Sequence, residues 1–366
     1  MKNGVKIISF GDFLLEDKFV HSYEYKKFIK LFNEYDIVTF NLETTVSDLA
    51  GKKQDKSFNF KTGLKNLCTL KSDVSAKLVC NIANNHIMDY GEECLNDTIK
   101  NLKENSILYT GYSKNLKIKE GITFIDVNNK RLAFIGAFNG FNVTLDKSGL
   151  TPINDSIYDK VKYAKKNADY VVVHLHWGEE LSLSQTPKQV KIAHKLVDFG
   201  ADIILGHHPH VIQANEIYKN SLIIYSMGNF QLRADEHDKN TRYANMFEIE
   251  IYNQDINYNV IPIYIDDNIP TILNENDKEK YGRYKYIEKY NKYYLKKNSW
   301  MLFYCNASRK FFKDSLNSWD IRKRKGEKNL KYKKVRWFIS KHTLIMSFFF
   351  LISILFNIKE KEYEIE

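Results

Sequence analysis

Short apolar runs punctuate the chain, most of them built from β-branched and aromatic residues: VKIISF at 5–10, DIVTFN at 36–41, AKLVCNIA at 76–83, ADYVVVHLH at 168–176 and ADIILGHH at 201–208. Their apolar positions are largely consecutive rather than alternating, so they read as strands buried on both faces. Residues 22–34, 91–105, 156–167 and 187–199 instead carry apolar residues at helical spacing, and Gly200 stands as a C-cap directly before a strand. Such alternation predicts a sheet layered with helices. Hairpins interrupt it. Asn128-Asn129 joins GITFIDV to KRLAFIGAF through a turn that needs positive φ, Lys219-Asn220 turns a second pair, and residues 246–265 fold back through Asn253 to Asp255. The fold class predicted is α/β of mixed type, with two sheets in a sandwich.

Polar residues gather where the apolar runs stop. Asp12 follows IISFG; Asn41 and Glu43 follow DIVTF; Asn84, Asn85, His86 and Asp89 follow LVCNIA; His174 and His176 close YVVVHLH; His207, His208 and His210 follow IILG. Strand carboxyl ends lie along one edge of an α/β sheet, so these groups can converge there. Imidazole is costly to bury and titrates near neutrality, and three of the chain's ten histidines fall within 207–210. Carboxylate, amide oxygen and imidazole together suit one or two divalent ions, Mn2+, Fe2+ or Zn2+. Two readings stay open at two places. His174 is a ligand or a hydrogen-bonded core residue, and Asn84 and Asn85 reach the centre or only shape their loop.

Composition adds a second region. At 366 residues, 43% hydrophobic and 27% charged, the chain can build one large domain and an appendage, which excludes wholesale disorder. The net charge of +10 is local: from Tyr281 to His342 nineteen lysines and arginines face four acids. A change in character near residue 270 divides the chain into a main body, 1–270, and a basic, aromatic appendage, 271–366, expected to be mostly helical. Cys68, Cys80, Cys94 and Cys305 share no CxxC spacing and read as buried reduced thiols. The first apolar run, Val5 to Phe10, is short and broken by Lys6, so no signal peptide is expected and the body is placed in the cytoplasm.

Residues 343–356 carry no charge. As a helix they would span about 21 Å, short of the roughly 30 Å hydrocarbon core. With the polybasic run before them they predict a segment lying in or dipping into the anionic inner face of the membrane. Spanning the bilayer and packing on the body are the alternatives. Tyrosine and lysine interleave in the appendage, but no recognised nucleic-acid module appears, so nucleic acid is not an expected partner.

Taken together, GD at 11–12, NLE at 41–43, ANNHIMDYG at 83–91, HLHWGEE at 174–180, GADIILGHHPHVIQ at 200–213 and YSMGNF at 225–230 resemble the capsule-synthesis CapA family of poly-γ-glutamate capsule proteins, which is similar to the calcineurin-like metallophosphoesterases. The resemblance covers roughly residues 4–265. It implies a four-layer αββα sandwich with a metal centre at the strand ends, and a role in making or exporting capsule, exopolysaccharide or poly-γ-glutamate. It further implies Asp12, Glu43, Asn85, His176, His208 and His210 as metal ligands, with His86 beside the leaving group of a phosphorylated glycan or surface-polymer intermediate.

In that scheme His86 protonates the leaving alkoxide. Asp89 either orients the imidazole or caps the helix that follows. Trp177 forms the wall or stacks on a sugar, and the turn at Gly228 to Phe230 faces the site or is purely structural. Two departures stand out. The phosphoesterase opening Asp-x-His reads Asp12-Phe13-Leu14 here, and Glu43 replaces an aspartate. Either His207 or Glu179 compensates, or the centre holds one ion firmly and a second weakly. Should catalysis be lost with that histidine, the protein is a non-catalytic, metal-containing assembly or export factor.

Overall fold

Two mixed sheets lie face to face, and the apolar runs form their central strands. The computed structural model describes residues 4–56, 58–115, 117–140, 148–232, 239–253, 255–297 and 341–355. In the first sheet β1 (Gly4–Phe13), β2 (Ile37–Leu42), β3 (Lys77–Asn81) and β4 (Leu108–Thr110) are parallel neighbours. The second sheet holds β5 (Ile122–Val127), β6 (Lys130–Phe138), β7 (Tyr170–His176), β8 (Ile203–His207), β9 (Asn215–Tyr218) and β10 (Ser221–Ile224), in the order β9-β10-β8-β7-β6-β5. The chain then returns to the first sheet. β11 (Asn229–Gln231) lies parallel to the end of β1, and β12 (Tyr243–Tyr252), β13 (Asp255–Asp266) and β14 (Ile269–Ile272) extend it antiparallel to eight strands.

The three hairpins turn where the asparagines allow it. Asn128 and Asn129 have φ of 48° and 61°, Lys219 and Asn220 49° and 68°, and Asn253 48°.

Helices cover both outer faces. α1 (Tyr23–Phe32), α2 (Leu64–Asp73) and α3 (Gly91–Glu104) bury Phe28, Phe32, Leu67, Leu70, Leu95 and Leu102 against Ile8, Phe10, Val38, Phe40 and Leu78 of the first sheet. α4 (Ser156–Asn167) packs on β6 and β7 of the second sheet with α5 (Pro187–Asp198) beside it, and α5 starts from a capping box of Thr186 and Gln189 with Pro187 in its first turn. Between the sheets, Val5, Ile7, Ile37 and Val79 meet Leu132, Phe134, Val172, Ile203 and Leu205. Ile7 and Ile8 therefore serve opposite faces of one strand, as the strand period requires. The architecture is the αββα sandwich expected.

A phenylalanine cluster stiffens the floor of one sheet edge. Phe10 stacks on Phe40 at 5.1 Å between centroids and meets Phe230 at 4.2 Å, all three fully buried. Directly after Phe10 the register of β1 against β2 slips by one residue. Gly11 makes that slip possible, since a Cβ there would lie 1.8 Å from the Gly228 carbonyl oxygen. The bulge re-aims Asp12.

The chain divides into two compact units, Met1–Tyr293 and Tyr294–Glu366. α6 (Lys278–Lys297) begins within the first, where Tyr284 and Ile287 join Ile212, Tyr243 and Leu273 in a small core. Asn291 donates to the Ile212 carbonyl at 3.0 Å, so this helix buttresses the segment that follows the histidine cluster. In the second unit the described part is α7 (Lys341–Leu355), whose Leu344, Phe348, Leu351 and Ile354 are exposed. Among the described residues no helix is long and apolar enough to cross a membrane. The polybasic run and Cys305 lie outside the described residues. Cys80 and Cys94 are buried and free; Cys68 is free but exposed, unlike the expectation, because it sits on the solvent side of α2.

Candidate metal centre

β1, β2, β3, β7 and β8 all end along one edge of the sandwich, and the turns beyond them bring their polar residues together. Asn41, fully buried in β2, organises the floor. Its Nδ2 donates to Asp12 Oδ1 at 2.8 Å and to Glu43 Oε2 at 3.3 Å, while its Oδ1 accepts from Asn81 and Asn84. Asn84 spends its remaining oxygen on the backbone N–H groups of His86 and Ile87, so it shapes the loop. Asn85, its neighbour, turns the other way: its Oδ1 lies 2.7 Å from His176 Nε2.

Asp12, Glu43 and His176 are fully buried, and each brings one ligand atom within 4.8 Å of the others. A second group, Glu180, His208 and His210, does the same within 4.8 Å on the more exposed side. His210 links the two, because its Nδ1 lies 3.2 Å from Asp12 Oδ2 and 3.0 Å from Asn229 Oδ1. His208 and His210 have φ of 96° and 59° on either side of Pro209, a backbone state that L-residues rarely adopt. Such strain persists only where the surroundings hold it in place.

The electrostatics fit a cation. Burial alone pushes the Asp12 carboxyl up, but its histidine partners, first the hydrogen bond and charge of His210, outweigh it and hold Asp12 well below the usual range. Burial and the adjacent Asp12 push Glu43 well above its range. Two buried carboxylates side by side cannot both ionise without a positive partner. Burial pushes His176 far down and brings His207 and His208 to about 4, so these rings are neutral, the form that ligates, at neutral pH. Burial also acts downward on His210, but Asp12 outweighs it and the ring is raised.

Glu43 Oε1 and His208 Nδ1 are buried with no hydrogen-bond partner among the described residues. Each such orphan costs about 1–3 kcal/mol. A divalent ion accepting both carboxylates and the free ring nitrogens would remove these penalties, and the oxygen and nitrogen donors match Mn2+, Fe2+ or Zn2+.

His86 stands at the rim, its side chain 10% exposed, with Nε2 3.9 Å from Glu43 Oε1. Asp89 Oδ2 pairs with His86 Nδ1 at 2.8 Å and accepts from Phe60 N at 2.7 Å. Asp89 does not cap α3, whose N-terminus at Tyr90 has no side-chain cap. Lys56 contacts Asp89 Oδ1 and donates to the Asn85 carbonyl at 2.7 Å, and the Phe60 ring lies 4.4 Å from the imidazole.

Several residues prove structural. His174 is a core histidine: Nε2 pairs with Thr39 Oγ1 at 2.9 Å across the sheet interface and Nδ1 with His207 Nε2 at 3.0 Å. His207 thus sits behind Asp12, with Nδ1 3.6 Å from Oδ1, and belongs to neither group of candidate ligands. Trp177 is buried, donating to the Tyr225 carbonyl, and offers no face to a sugar. In the turn after β10, Gly228 accepts from Asp12 N, Asn229 holds His210 and Phe230 joins the aromatic floor.

Two partners escape a reading of strand ends, Lys56 and Phe60, both from the loop after β2. Asn229 comes from the turn at Gly228 to Phe230, one of whose two readings has it facing the site. A third surprise, Glu180 rather than Glu179, had a signal in the paired acids after HLHWG. Which of the two reaches the centre depends on the turn itself.

Residues 6–233 match the family described as bacterial capsule synthesis protein PGA_cap, a stretch that contains every residue of the centre. The chain belongs to this family. Among similar curated proteins, the capsule biosynthesis protein CapA of Bacillus anthracis is 43% identical over 161 residues, 42% of this chain and 39% of the relative. The PGA biosynthesis protein CapA of Bacillus subtilis (strain 168) is 37% identical over 208 residues, 55% of this chain and 54% of the relative. The matched regions thus span about half or less of these curated relatives. A solved structure titled as a novel phosphatase, from Mycoplasma pneumoniae, aligns over 73% of this chain and 96% of its own at 18% identity and a TM-score of 0.47.

Proposed function

We propose that the protein is a metal-dependent phosphoesterase-type hydrolase acting in bacterial capsule, exopolysaccharide or poly-γ-glutamate biosynthesis. The observation that carries the reading is the pair of ligand groups at one edge of the sandwich, Asp12, Glu43 and His176 beside Glu180, His208 and His210, with the His86–Asp89 pair next to them. A bound divalent ion there would lower the pKa of a water and neutralise charge on a phosphoryl oxygen. The chain's own groups do the rest. The half-buried Asn85 and the buried His176 complete the donor set. His86 gives a proton from Nε2 to the departing alkoxide, and Asp89 holds Nδ1 so that the ring keeps one orientation. Lys56 balances the Asp89 charge. The substrate in this reading is a phosphorylated glycan or surface-polymer intermediate.

A screen of phosphomonoesters and phosphodiesters with Mn2+-, Fe2+- and Zn2+-loaded protein tests it. Turnover that chelation removes and metal restores is the expected result; a metal-loaded protein inert to the whole panel contradicts hydrolysis. The second reading, a non-catalytic polymer-assembly or export factor, has one observation in its favour. Leu14, buried at 1% exposure, stands where a phosphoesterase carries a histidine.

For the tail, we propose that residues 1–270 form the catalytic body and that the 271–366 appendage holds it to the cytoplasmic face of the membrane. The exposed apolar residues of α7 and the lysines and arginines of 320–342 support this reading. Each basic residue near an anionic surface contributes about 1 kcal/mol, a contribution that salt screens, while the apolar contribution is not screened in this way. Full-length protein should float with anionic vesicles at low salt, and removal of residues 320–366 should abolish flotation while leaving bound metal unchanged. Neutralising only the basic cluster should leave weak, salt-insensitive binding. Full-length protein that ignores anionic vesicles at low salt contradicts the reading.

A further inference from the structure

We propose that Glu180 closes a second, solvent-facing metal position with His208 and His210. The inference rests on the reading of this sheet edge as a metal centre and adds to it a ligand and an inequality between two positions.

The turn that carries Glu180 is built to stay beside the histidine loop. After β7 the chain passes Trp177, whose backbone N–H donates to the His207 carbonyl at 3.1 Å, and two residues in left-handed backbone, Gly178 (φ 91°) and Leu181 (φ 60°). A Cβ on Gly178 would come within 2.8 Å of the Gln189 side chain, so the turn is packed tightly there. Leu181 N then donates to the Pro209 carbonyl at 2.8 Å. That bond ties the turn to the residue between the two histidines, and the carboxylate of Glu180 consequently lies within 4.8 Å of a ring nitrogen of each.

The rings are prepared for a ligand on that side. His210 commits Nδ1 to Asp12 and Asn229, which leaves Nε2. His208 has a buried Nδ1 with no partner among the described residues and a backbone strained to φ 96°. Two imidazoles and one carboxylate suit Mn2+, Fe2+ or Zn2+. Leu14 cannot take part, being buried and apolar.

The two positions differ in exposure. The group of Asp12, Glu43 and His176 is closed from solvent, whereas Glu180 is exposed and His208 and His210 are partly so. An ion at the outer position keeps open sites for water or an anionic oxygen, and it exchanges more readily than one at the inner position.

The test uses full-length protein stripped with chelator and titrated with Mn2+, with elemental analysis for stoichiometry and calorimetry for affinity. Wild type should take two ions in two classes. Glu180→Gln, an isosteric change at an exposed position, should keep the tight class and weaken the other at least about 10-fold, the lower bound for disturbing even an outer partner of a metal ligand. Glu179→Gln should match wild type. Two unchanged classes in Glu180→Gln would overturn the proposal, leaving Glu180 an exposed acid without an ion. A single ion in wild type overturns it too, but leaves the metal centre standing. No ion in wild type removes the centre itself.

Discussion

Replacing His208 or His210 with alanine is expected to lower bound metal sharply, with loss of at least the outer ion. Mutating only an outer partner of a metal ligand lowers affinity by about 10–100-fold; removing a ring from this pair exceeds that. His210 touches Asp12 and shares the outer group with His208 and Glu180, so its loss disturbs both sets of donors. His208 contributes an unpartnered ring nitrogen, and its ring lies 4.7 Å from that of His176. His207→Ala has a smaller effect, since that ring supports Asp12 from behind. Elemental analysis of the variants checks this. Unchanged stoichiometry in both His208→Ala and His210→Ala would remove them from the centre.

His86→Ala, by contrast, keeps its metal and loses turnover. The imidazole belongs to neither ligand group, sits at the rim and is held through Nδ1 by Asp89. A positioned general acid contributes about 10²–10⁴-fold to rate, and a drop of that size is expected on whichever phosphoester the screen finds. Elemental analysis beside the rate measurement separates chemistry from ligation. Metal loss as complete as in His208→Ala would make His86 a ligand.

The layering was legible because the strands are buried on both faces and so appear as unbroken apolar runs, and because asparagines mark the hairpins. α2 was not. It starts from Gly63 without a side-chain cap and buries only Asn66, Leu67 and Leu70, too little for a clear periodic signal. The alignment of strand-end residues within each sheet followed from parallel pairing, which sets β1 beside β2, β2 beside β3, and β7 beside β8. What parallel pairing does not contain is the distance across the sandwich. His174 reads like a ligand along its own strand, yet the opposite sheet supplies Thr39 and makes it a core residue. Lys56 and Phe60 reach His86 because the loop after β2 crosses the 84–91 turn, with Gln54 N donating to the Asp89 carbonyl at 2.9 Å. The choice of Glu180 over Glu179 is set by two left-handed residues and one backbone hydrogen bond, none of which leaves a periodic trace.

The most direct test of the metal centre is elemental analysis of full-length protein equilibrated with Mn2+, Fe2+ or Zn2+ and then freed of excess, run beside Asp12→Ala. At least one ion per chain in wild type, and a sharp loss in Asp12→Ala, is the predicted result. Wild-type protein that retains no ion above background with any of the three metals would contradict the account.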